Sequence, residues 1–599
     1  MKRGLLQSWI ILALCAATVA QSPKKLPPNV YLITIDTLRA DHVHCYGYEK
    51  IATPAIDELA KSGIRFSKAF TPSPITNTSH TTILTGLLPS AHGVTDFGIP
   101  LAASHPALAH LLAQRGYHTA AFIGAVILDS KSLAPGLDQG FEFYDNFPEH
   151  STTKERWGRV ERRGADVVKR AEAWMTAHPR TPQFVWIHLY DPHDPYEPPP
   201  PYSQTYKDRL YDGEIAYADS ALTNFLAYLK AHSLDDNAII IVVGDHGESL
   251  GEHHEDTHGI FLYDSTLHVP LILKLPKKEN AGAVIDAQVR TTDILPTVLD
   301  FTDAPKPEHL DGESLGPLLA KTETAQRVAF GETDYPLRFG WAPLRSVRQS
   351  EFKFIEAPRP ELYDLRSDPG ETQNTYAPWN SEVKTSRGLL ADLRSKLPPK
   401  APSDATVPQG TLSELRALGY LGPADAGSST TVPEPSLLPD PKNKIEEQNL
   451  LHRAMLAADS GNTAQAQTDL QKVLELNPTS PTALRQLGDL ELQAGEYSKA
   501  ADHLKAARAN QPNDAVVAYE LGEALAKLSN FSEARDALEA SLKIMPAQLP
   551  ARVLLGNVYL ELKNPAAATD QFEAALLLDT KNTDAKAGLA RAQSVQKPN

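Results

Sequence analysis

The chain has 599 residues and a mass of 65.4 kDa, too long for one ordinary domain, so we expect roughly two to four. Hydrophobic residues make up 42% and charged residues 22%, which excludes a chain that is disordered along its whole length. The net charge of -16 argues against a nucleic-acid partner, because a basic surface supplies most of that affinity. A bound metal can reverse the local field, so phosphate and sulfate substrates stay open.

Residues 1–20 have the pattern of a secretion signal. Lys2 and Arg3 precede a mostly apolar run from Leu5 to Ala17, and the small residues 18–20 offer a cleavage site. The alternative is an uncleaved membrane anchor, but the apolar run is shorter than the roughly 20 residues that span a bilayer. We therefore expect an exported protein, periplasmic or secreted, with no transmembrane segment after cleavage.

The chain before about residue 400 alternates strand-like and helix-like segments. Apolar, largely β-branched runs at Val30–Ile35, Phe184–Ile187 and Ala238–Val243 predict buried strands. Helical patterns lie between them, at Pro54–Ser62, His105–Gly116, Gly164–Thr176 and Ala216–Ala231. This alternation predicts an α/β domain with a mostly parallel sheet flanked by helices. Functional residues of such sheets gather beyond the carboxyl ends of the strands.

From about residue 397 to 445 the composition shifts toward Pro, Ser, Thr, Gly and Ala. We predict a linker over 397–445 that is partly extended. A short helical patch is expected near Leu412–Leu421.

Beyond the linker, several residue types recur 34 positions apart. The recurring positions are Gly488, Gly522 and Gly556, Pro478, Pro512 and Pro546, and Ala466, Ala500, Ala534 and Ala568. Residues 446–595 therefore resemble about four tetratricopeptide (TPR) repeats with a capping helix, an all-α solenoid. Stacked helix pairs form an extended concave surface, so we expect a protein partner or self-association. The alternative that the repeats only stabilise or dimerise the protein stays open.

Acidic and imidazole side chains follow the predicted strands directly. Asp36 follows the first strand, Asp191 and His193 the second, and Asp245 and His246 the third. Each aspartate alone is compatible with a helix cap or a turn. Together they place metal-type ligands at one edge of a parallel sheet, which predicts a divalent metal site.

The motifs that carry a family resemblance run in order along the N-terminal part: Ile35–Asp41 (IDTLRAD), Thr53–Asp57 (TPAID), Ser79–Gly86 (SHTTILTG), Gly244–Gly247 (GDHG) and Glu361–Glu371 (ELYDLRSDPGE). This part resembles the sulfatase family of the alkaline phosphatase superfamily. The resemblance implies a catalytic domain over residues 28–396 with a small C-terminal subdomain. It also implies an enzyme that acts on sulfuric or phosphoric ester bonds.

The nucleophile of that family stands at the start of a helix, where sulfatases carry a cysteine or serine that is oxidised to formylglycine. The matching position here is Thr76, with Thr78 in place of the family's proline and His80 in place of its arginine. Formylglycine cannot form from Thr76. The residue resembles instead the threonine nucleophile of nucleotide phosphodiesterases and phosphoethanolamine transferases, whose hydroxyl needs a metal for activation.

The resemblance implies one metal against Thr76, held by Asp36, Asp245 and His246. It implies a second metal position at His258, with Asp191 and His193 as candidates to complete it. Zn²⁺ or Mn²⁺ is favoured, and Ca²⁺ and Mg²⁺ stay open.

Two histidines are candidate catalytic residues. His193, with His258 and the second metal, is expected to support the leaving group. His80 lies one helical turn from Thr76, where it either contacts the substrate or a metal or is structural.

The residues favour a phosphate ester, of the phosphodiester or phosphonate type, over a sulfate ester. A phosphothreonine intermediate can be hydrolysed by water activated on a second metal, whereas a sulfothreonine lacks the elimination open to formylglycine. A transferring phosphoryl group also carries more charge for metals to neutralise. The function expected is therefore an exported, metal-dependent ester hydrolase or transferase. The alternatives are a sulfatase in the strict sense and an inactive TPR protein-binding scaffold.

Overall fold

The computed structural model describes residues 27–148, 160–323, 326–349, 351–397 and 437–596. The predicted signal segment 1–20, the predicted helical patch Leu412–Leu421 and most of the predicted linker lie outside the described residues. Within the described part of the chain, none of the helices has both the length and the apolar character needed to cross a membrane.

An eight-stranded sheet forms the centre of the N-terminal part. Its strands are β1 (Asn29–Ile35), β2 (Ile64–Phe70), β3 (His118–Phe122), β4 (Phe143–Asp145), β5 (Gln183–Leu189), β6 (Ala238–Gly244), β7 (His268–Lys274) and β8 (Ala283–Arg290). The strand order is β4-β3-β5-β1-β6-β7-β2-β8, and β7 is antiparallel to both of its neighbours. The three predicted strands are confirmed as β5, β1 and β6, which lie side by side and are buried at every position.

Helices cover both faces of this sheet. They are α1 (Pro54–Ser62), α2 (Thr76–Thr85), α3 (Pro89–His92), α4 (Leu108–Ala113), α5 (Gly164–Ala177), α6 (Tyr202–Thr205), α7 (Leu210–Ala231), α8 (Asp264–Leu267), α9 (Ile294–Phe301) and α10 (Gly316–Leu319). Successive strand residues point to opposite faces, so Leu32 packs in a core with α2, α4 and α9. Its neighbour Ile33 packs in a second core with α1, α5 and α7. The predicted layered α/β architecture is confirmed.

A small antiparallel sheet follows the large one. It contains β9 (Ala329–Thr333), β10 (Leu344–Gln349), β11 (Phe352–Glu356) and β12 (Glu361–Asp364) in the order β12-β11-β10-β9. Helix α11 (Ser381–Lys396) packs on this sheet through Val383 and Leu390, which meet Phe354. This unit is the small C-terminal subdomain that the resemblance implies.

The C-terminal part is a series of antiparallel helix pairs. Its helices are α12 (Ile445–Asp459), α13 (Thr463–Leu476), α14 (Pro481–Ala494), α15 (Tyr497–Asn510), α16 (Ala515–Lys527), α17 (Phe531–Ile544), α18 (Leu549–Glu561), α19 (Pro565–Leu578) and α20 (Thr583–Gln596). A Cβ atom added at Gly488 would lie 2.6 Å from Leu504 Cγ, and one at Gly522 would lie 2.6 Å from Leu538 Cγ. The 34-residue glycine period therefore marks the close crossing of the two helices in each repeat.

Candidate active site

The sheet register brings the first group of candidate ligands together. Strands β1 and β6 are parallel neighbours with Ile35 opposite Gly244, so the residues that follow them, Asp36 and Asp245, lie side by side at the carboxyl edge. His246 comes next in the chain. One ligand atom from each of Asp36, Asp245 and His246 lies within 4.8 Å of the other two.

This group has the features of a cation site. All three side chains are completely buried, and among the described residues Asp36 Oδ1 and Asp245 Oδ2 have no hydrogen-bond partner. His246 Nε2 lies 3.5 Å from each of these oxygens, while its Nδ1 donates to the backbone oxygen of Gly247 at 2.9 Å. Buried carboxylate oxygens are normally paired, and a divalent metal would supply the missing partner for this N and O donor set.

The acid–base properties of the group agree with that interpretation. Burial raises the pKa of Asp36 to about 6, although His246 and His258 act against the shift. Burial and the neighbouring charge of Asp36 raise the pKa of Asp245 well above its ordinary value, and burial lowers the pKa of His246 to about 3. Without a cation these carboxyls therefore retain protons more readily than usual. A bound divalent ion favours the deprotonated, charged form of the carboxyls instead.

Thr76 is the first residue of helix α2 and is completely buried. Its Oγ1 lies 3.2 Å from His246 Nε2, and the Thr76 side chain acts against the burial that raises the pKa of Asp36. The N–H groups of the first helical turn have no acceptor within the helix, and their dipoles favour an anion at this end. The structure thus brings Thr76 together with Asp36, Asp245 and His246.

A row of imidazoles extends from the metal-type ligands. The ring centroid of His258 lies 4.5 Å from that of His246 and 5.0 Å from that of His193. His258 Nδ1 lies 3.1 Å from Glu248 Oε1, and burial lowers the pKa of His258 to about 4. His193 donates from Nδ1 to the backbone oxygen of Asp194 at 2.6 Å. The structure therefore brings His193 and His258 close to the first group.

Asp191 is not a member of the Asp36, Asp245 and His246 group. Its Oδ2 accepts a hydrogen bond of 2.8 Å from the backbone N–H of Gly164, the first residue of α5. Its Oδ1 lies 3.8 Å from Arg163 Nη1, which is also 3.6 Å from Glu214 Oε1. This environment is that of a buried carboxyl group at the start of a helix.

His80 lies behind Thr76 and is completely buried. Its Nδ1 donates to the backbone oxygen of Thr76 at 2.7 Å, and its Nε2 lies 2.9 Å from Thr34 Oγ1. Nδ1 is also 3.4 Å from Asp245 Oδ2. Both ring nitrogens are therefore engaged inside the protein, in a position that orients the start of α2.

Two further residues of the site escaped the sequence analysis. His188 Nε2 donates to Asp36 Oδ2 at 3.1 Å while its Nδ1 accepts from the backbone of Gly124 at 3.2 Å. Glu248, completely buried, lies next to His258. The signals were a histidine at a buried position of an apolar strand and an acidic residue directly after the GDHG motif.

Comparisons with known proteins agree with the fold. Residues 28–304 match the model of the sulfatase family, and residues 251–397 match that of the N-sulphoglucosamine sulphohydrolase C-terminal region. Residues 451–515 and 519–590 match a tetratricopeptide repeat model.

Individual relatives share the N-terminal part. The uncharacterized sulfatase YidJ of Escherichia coli is 26% identical, over 62% of this chain and 85% of its own length. The multifunctional alkaline phosphatase superfamily protein PehA of Trinickia caryophylli is 24% identical, over 58% of this chain and 90% of its own. The crystal structure of a phosphonate monoester hydrolase from Agrobacterium radiobacter superposes with a TM-score of 0.52, over 61% of this chain and 95% of that one, at 23% identity.

These findings together fix the class of the protein. Its N-terminal fold, its Asp/Asp/His group and the two N-terminal family matches point to one family of metal-dependent ester hydrolases. The N-terminal part of the chain is a sulfatase domain of the alkaline phosphatase superfamily, a class of hydrolases that acts on sulfuric or phosphoric esters, and the C-terminal part carries tetratricopeptide repeats.

Proposed function

We propose that the N-terminal domain hydrolyses phosphate esters, of the phosphodiester or phosphonate monoester type, with Thr76 as its nucleophile. The observation that carries the proposal is the position of the Thr76 hydroxyl, at a helix start and 3.2 Å from His246 within the Asp/Asp/His group. A threonine there cannot become formylglycine. The similarity to a multifunctional superfamily member and to a phosphonate monoester hydrolase supports the same class.

The proposed metal residues are Asp36, Asp245 and His246. These residues would hold a divalent ion, which would supply positive charge that lowers the pKa of a neighbouring hydroxyl and polarises the ester. Zn²⁺ or Mn²⁺ suits the mixed imidazole and carboxylate set. His258 and His193 are the candidates for a second ion, whereas the placement of Asp191 favours a structural role.

The proposed reaction has two displacements. In the first, Oγ1 of Thr76 forms a bond to phosphorus, the bond to the leaving oxygen breaks, and the hydroxyl proton passes to solvent. In the second, water attacks phosphorus and the Thr76–phosphorus bond breaks, which restores the hydroxyl. His258 lies next to His246, the residue that contacts the Thr76 hydroxyl, and His193 lies next to His258. Both are proposed to orient the leaving oxygen. His80 is proposed as a positioning residue for the start of α2.

A sulfate ester is the second candidate substrate. The match to the sulfatase family model favours it, as does an arylsulfatase of Clostridium perfringens that is 24% identical over 58% of this chain. An inactive scaffold is disfavoured, because the buried ligand group is intact.

The direct test uses metal-depleted protein reloaded with Zn²⁺, Mn²⁺, Ca²⁺ or Mg²⁺ and assayed on aryl phosphodiester, aryl phosphonate and aryl sulfate esters. We expect turnover of a phosphorus ester that returns with Zn²⁺ or Mn²⁺. The Thr76→Ala variant should lose at least roughly 1,000-fold of kcat, because the attacking atom is gone.

Thr85→Ala is the matched control, since Thr85 lies at the other end of the same helix and donates to the backbone oxygen of Thr81. It should retain wild-type turnover. Turnover of the aryl sulfate with none of the phosphorus esters would reverse the ranking of the two substrate classes.

We also propose that the protein is exported, with cleavage after Ala20, and that the repeats bind a protein partner or a second copy. The support is the charged and then apolar N-terminal pattern and the repeat architecture. N-terminal sequencing of protein recovered from the cell envelope or the medium tests the first, since an intact Met1 would contradict cleavage. Affinity capture with the repeats as bait, alongside the mass of the purified protein, tests the second.

A further inference from the structure

The first helix of the repeats, α12, contacts the catalytic domain through its buried face. Nε2 of His452 donates to Asp194 Oδ2 at 2.7 Å. The side chain of Asn449 donates to the backbone oxygen of His254 at 2.7 Å and accepts from the backbone N–H of Asp256 at 3.2 Å. His452 and Asn449 are 7% and 3% exposed, so these bonds are shielded from water and stronger than surface bonds.

The partners of α12 are loops of the active site itself. Asp194 follows His193, and its backbone oxygen accepts the hydrogen bond from His193 Nδ1. The segment 254–256 lies between Glu248 and His258 in the loop that carries both. The helix therefore holds the two loops that position His193 and His258, the imidazoles beyond His246.

Electrostatics link His452 to the same loops. The charge of His452 influences the pKa of both Glu248 and His258, as does that of Asp194. Although burial opposes protonation, the carboxylate of Asp194, reinforced by Glu248 and Asp256, raises the pKa of His452. His452 therefore lies within electrostatic range of Glu248 and His258.

Residues just before α12 and the first residue of the helix fix it in place. Asp440 Oδ2 accepts from the backbone N–H of Arg359 at 2.8 Å, and Lys442 Nζ lies 2.8 Å from Glu361 Oε1. Ile445 packs in the core of the catalytic domain. These contacts attach α12 to the catalytic domain through both polar and apolar side chains. A repeat array joined to the domain only by a flexible linker would not need them.

From these contacts we infer that α12 is a built-in part of the active-site wall, with His452 as a positioning residue that holds the His193 and His258 loops on the leaving-group side. The inference rests on the proposed function for the identity of the substrate, but the contacts with Asp194 and segment 254–256 are independent of it. The repeats are then required for turnover as well as for binding a partner.

The test uses the full-length protein with two methyl phosphodiesters, one with a 4-nitrophenyl and one with an unsubstituted phenyl leaving group. His452→Ala should lower kcat for the phenyl ester roughly 10- to 100-fold, the usual effect of losing an outer hydrogen-bond partner. The loss should be smaller for nitrophenol, which leaves easily. His452→Gln, which retains a donor toward Asp194, should recover part of the rate.

The matched control is His503→Ala. His503 forms a similar pair with Glu491 at 2.8 Å, but this pair lies inside the repeats. The variant should match the wild type on both esters. Equal losses for the two variants would show that the effect is general destabilisation, and would overturn the inference.

Hydrogen exchange of residues 190–196 and 248–258 supplies a readout that does not depend on activity. His452→Ala should speed exchange in both segments, and His503→Ala should not. If the wild type hydrolyses neither ester, the proposed phosphodiester activity fails while the exchange result still decides the positioning role. If the wild type is active and His452→Ala matches it in leaving-group dependence and exchange, the inference is wrong.

Discussion

Two aspartates determine the chemistry of the site because each has one carboxylate oxygen that is hydrogen-bonded and one that is not. Asp36 Oδ2 accepts from His188, and Asp245 Oδ1 accepts from the backbone N–H groups of Thr37 and His246. The second oxygen of each is buried and faces His246 Nε2. This division orients both carboxylates toward one point, which is how outer partners prepare a metal site.

The sequence predicted the members of this group but not the residues that hydrogen-bond to them. Asp36, Asp245 and His246 directly follow apolar strands, so a rule about strand ends is enough to select them. The contact of His188 with Asp36 joins residues 152 positions apart, and no local pattern carries that information. Asp191 also comes shortly after a strand, but its contacts with Gly164 and Arg163 favour a structural role at the start of α5.

The raised pKa of Asp36 predicts a pH dependence of metal binding. A folded-state pKa of about 6 means that the carboxyl is protonated below that pH and must lose a proton when the ion binds. Apparent affinity of the metal-depleted protein for Zn²⁺ should therefore fall as the pH drops through about 6, by at least about tenfold per pH unit, because Asp245, whose pKa is also raised, must lose its proton as well. Calorimetric titration between pH 5 and 8 in buffers of different ionisation enthalpy measures the affinity and the protons released.

Asp191→Asn is the control for that titration. Burial also raises the pKa of Asp191, to about 7, but the residue is not a member of the Asp36, Asp245 and His246 group. The variant should show the same pH profile as the wild type. A profile that loses its dependence in Asp191→Asn would place this residue among the ligands.

Among the secondary-structure elements, the central strands were predicted correctly, whereas the ends of two helices were not. The central strands were predicted because burial on both faces leaves continuous apolar runs. Helix α7 begins at Leu210 rather than at the predicted Ala216, since Tyr211 and Ile215 extend its buried face despite Gly213. Helix α4 is shorter than predicted because Pro106 has no N–H to donate and Gly116 has a left-handed φ of 83°.

The repeat glycines give a prediction about stability. Alanine at Gly522 places a methyl group 2.6 Å from Leu538 Cγ and 2.8 Å from its Cδ2, where overpacking typically costs about 1 to 3 kcal/mol. Gly522→Ala should therefore lower the stability of the repeats in urea unfolding followed by circular dichroism. Gly388→Ala in α11, where a methyl group meets nothing within 4 Å, should raise stability by up to about 1 kcal/mol through helix propensity. A change in stability of the same sign in both variants would contradict the close helix crossing at Gly522.

At the scale of the whole molecule, the chain combines a catalytic domain with an array of helical repeats. The linker-like composition between them suggests two separate units. The sequence predicted both parts, since an internal period and ordered motifs are global signals. It did not predict the attachment of α12 to the catalytic domain, because His452 and Asp194 are 258 positions apart. A contact between two surfaces that are far apart in the sequence depends on their shapes in the folded protein, and no local sequence pattern predicts it.

The central claim, that the hydroxyl of residue 76 attacks the ester, is tested most directly by stereochemistry at phosphorus. The wild-type protein is given an aryl phosphorothioate diester of one configuration in ¹⁸O-labelled water, and the configuration of the product is determined. Each in-line displacement inverts phosphorus, so attack by Thr76 followed by attack of water predicts net retention. Net inversion would mean that water attacks the substrate directly, and would contradict the account.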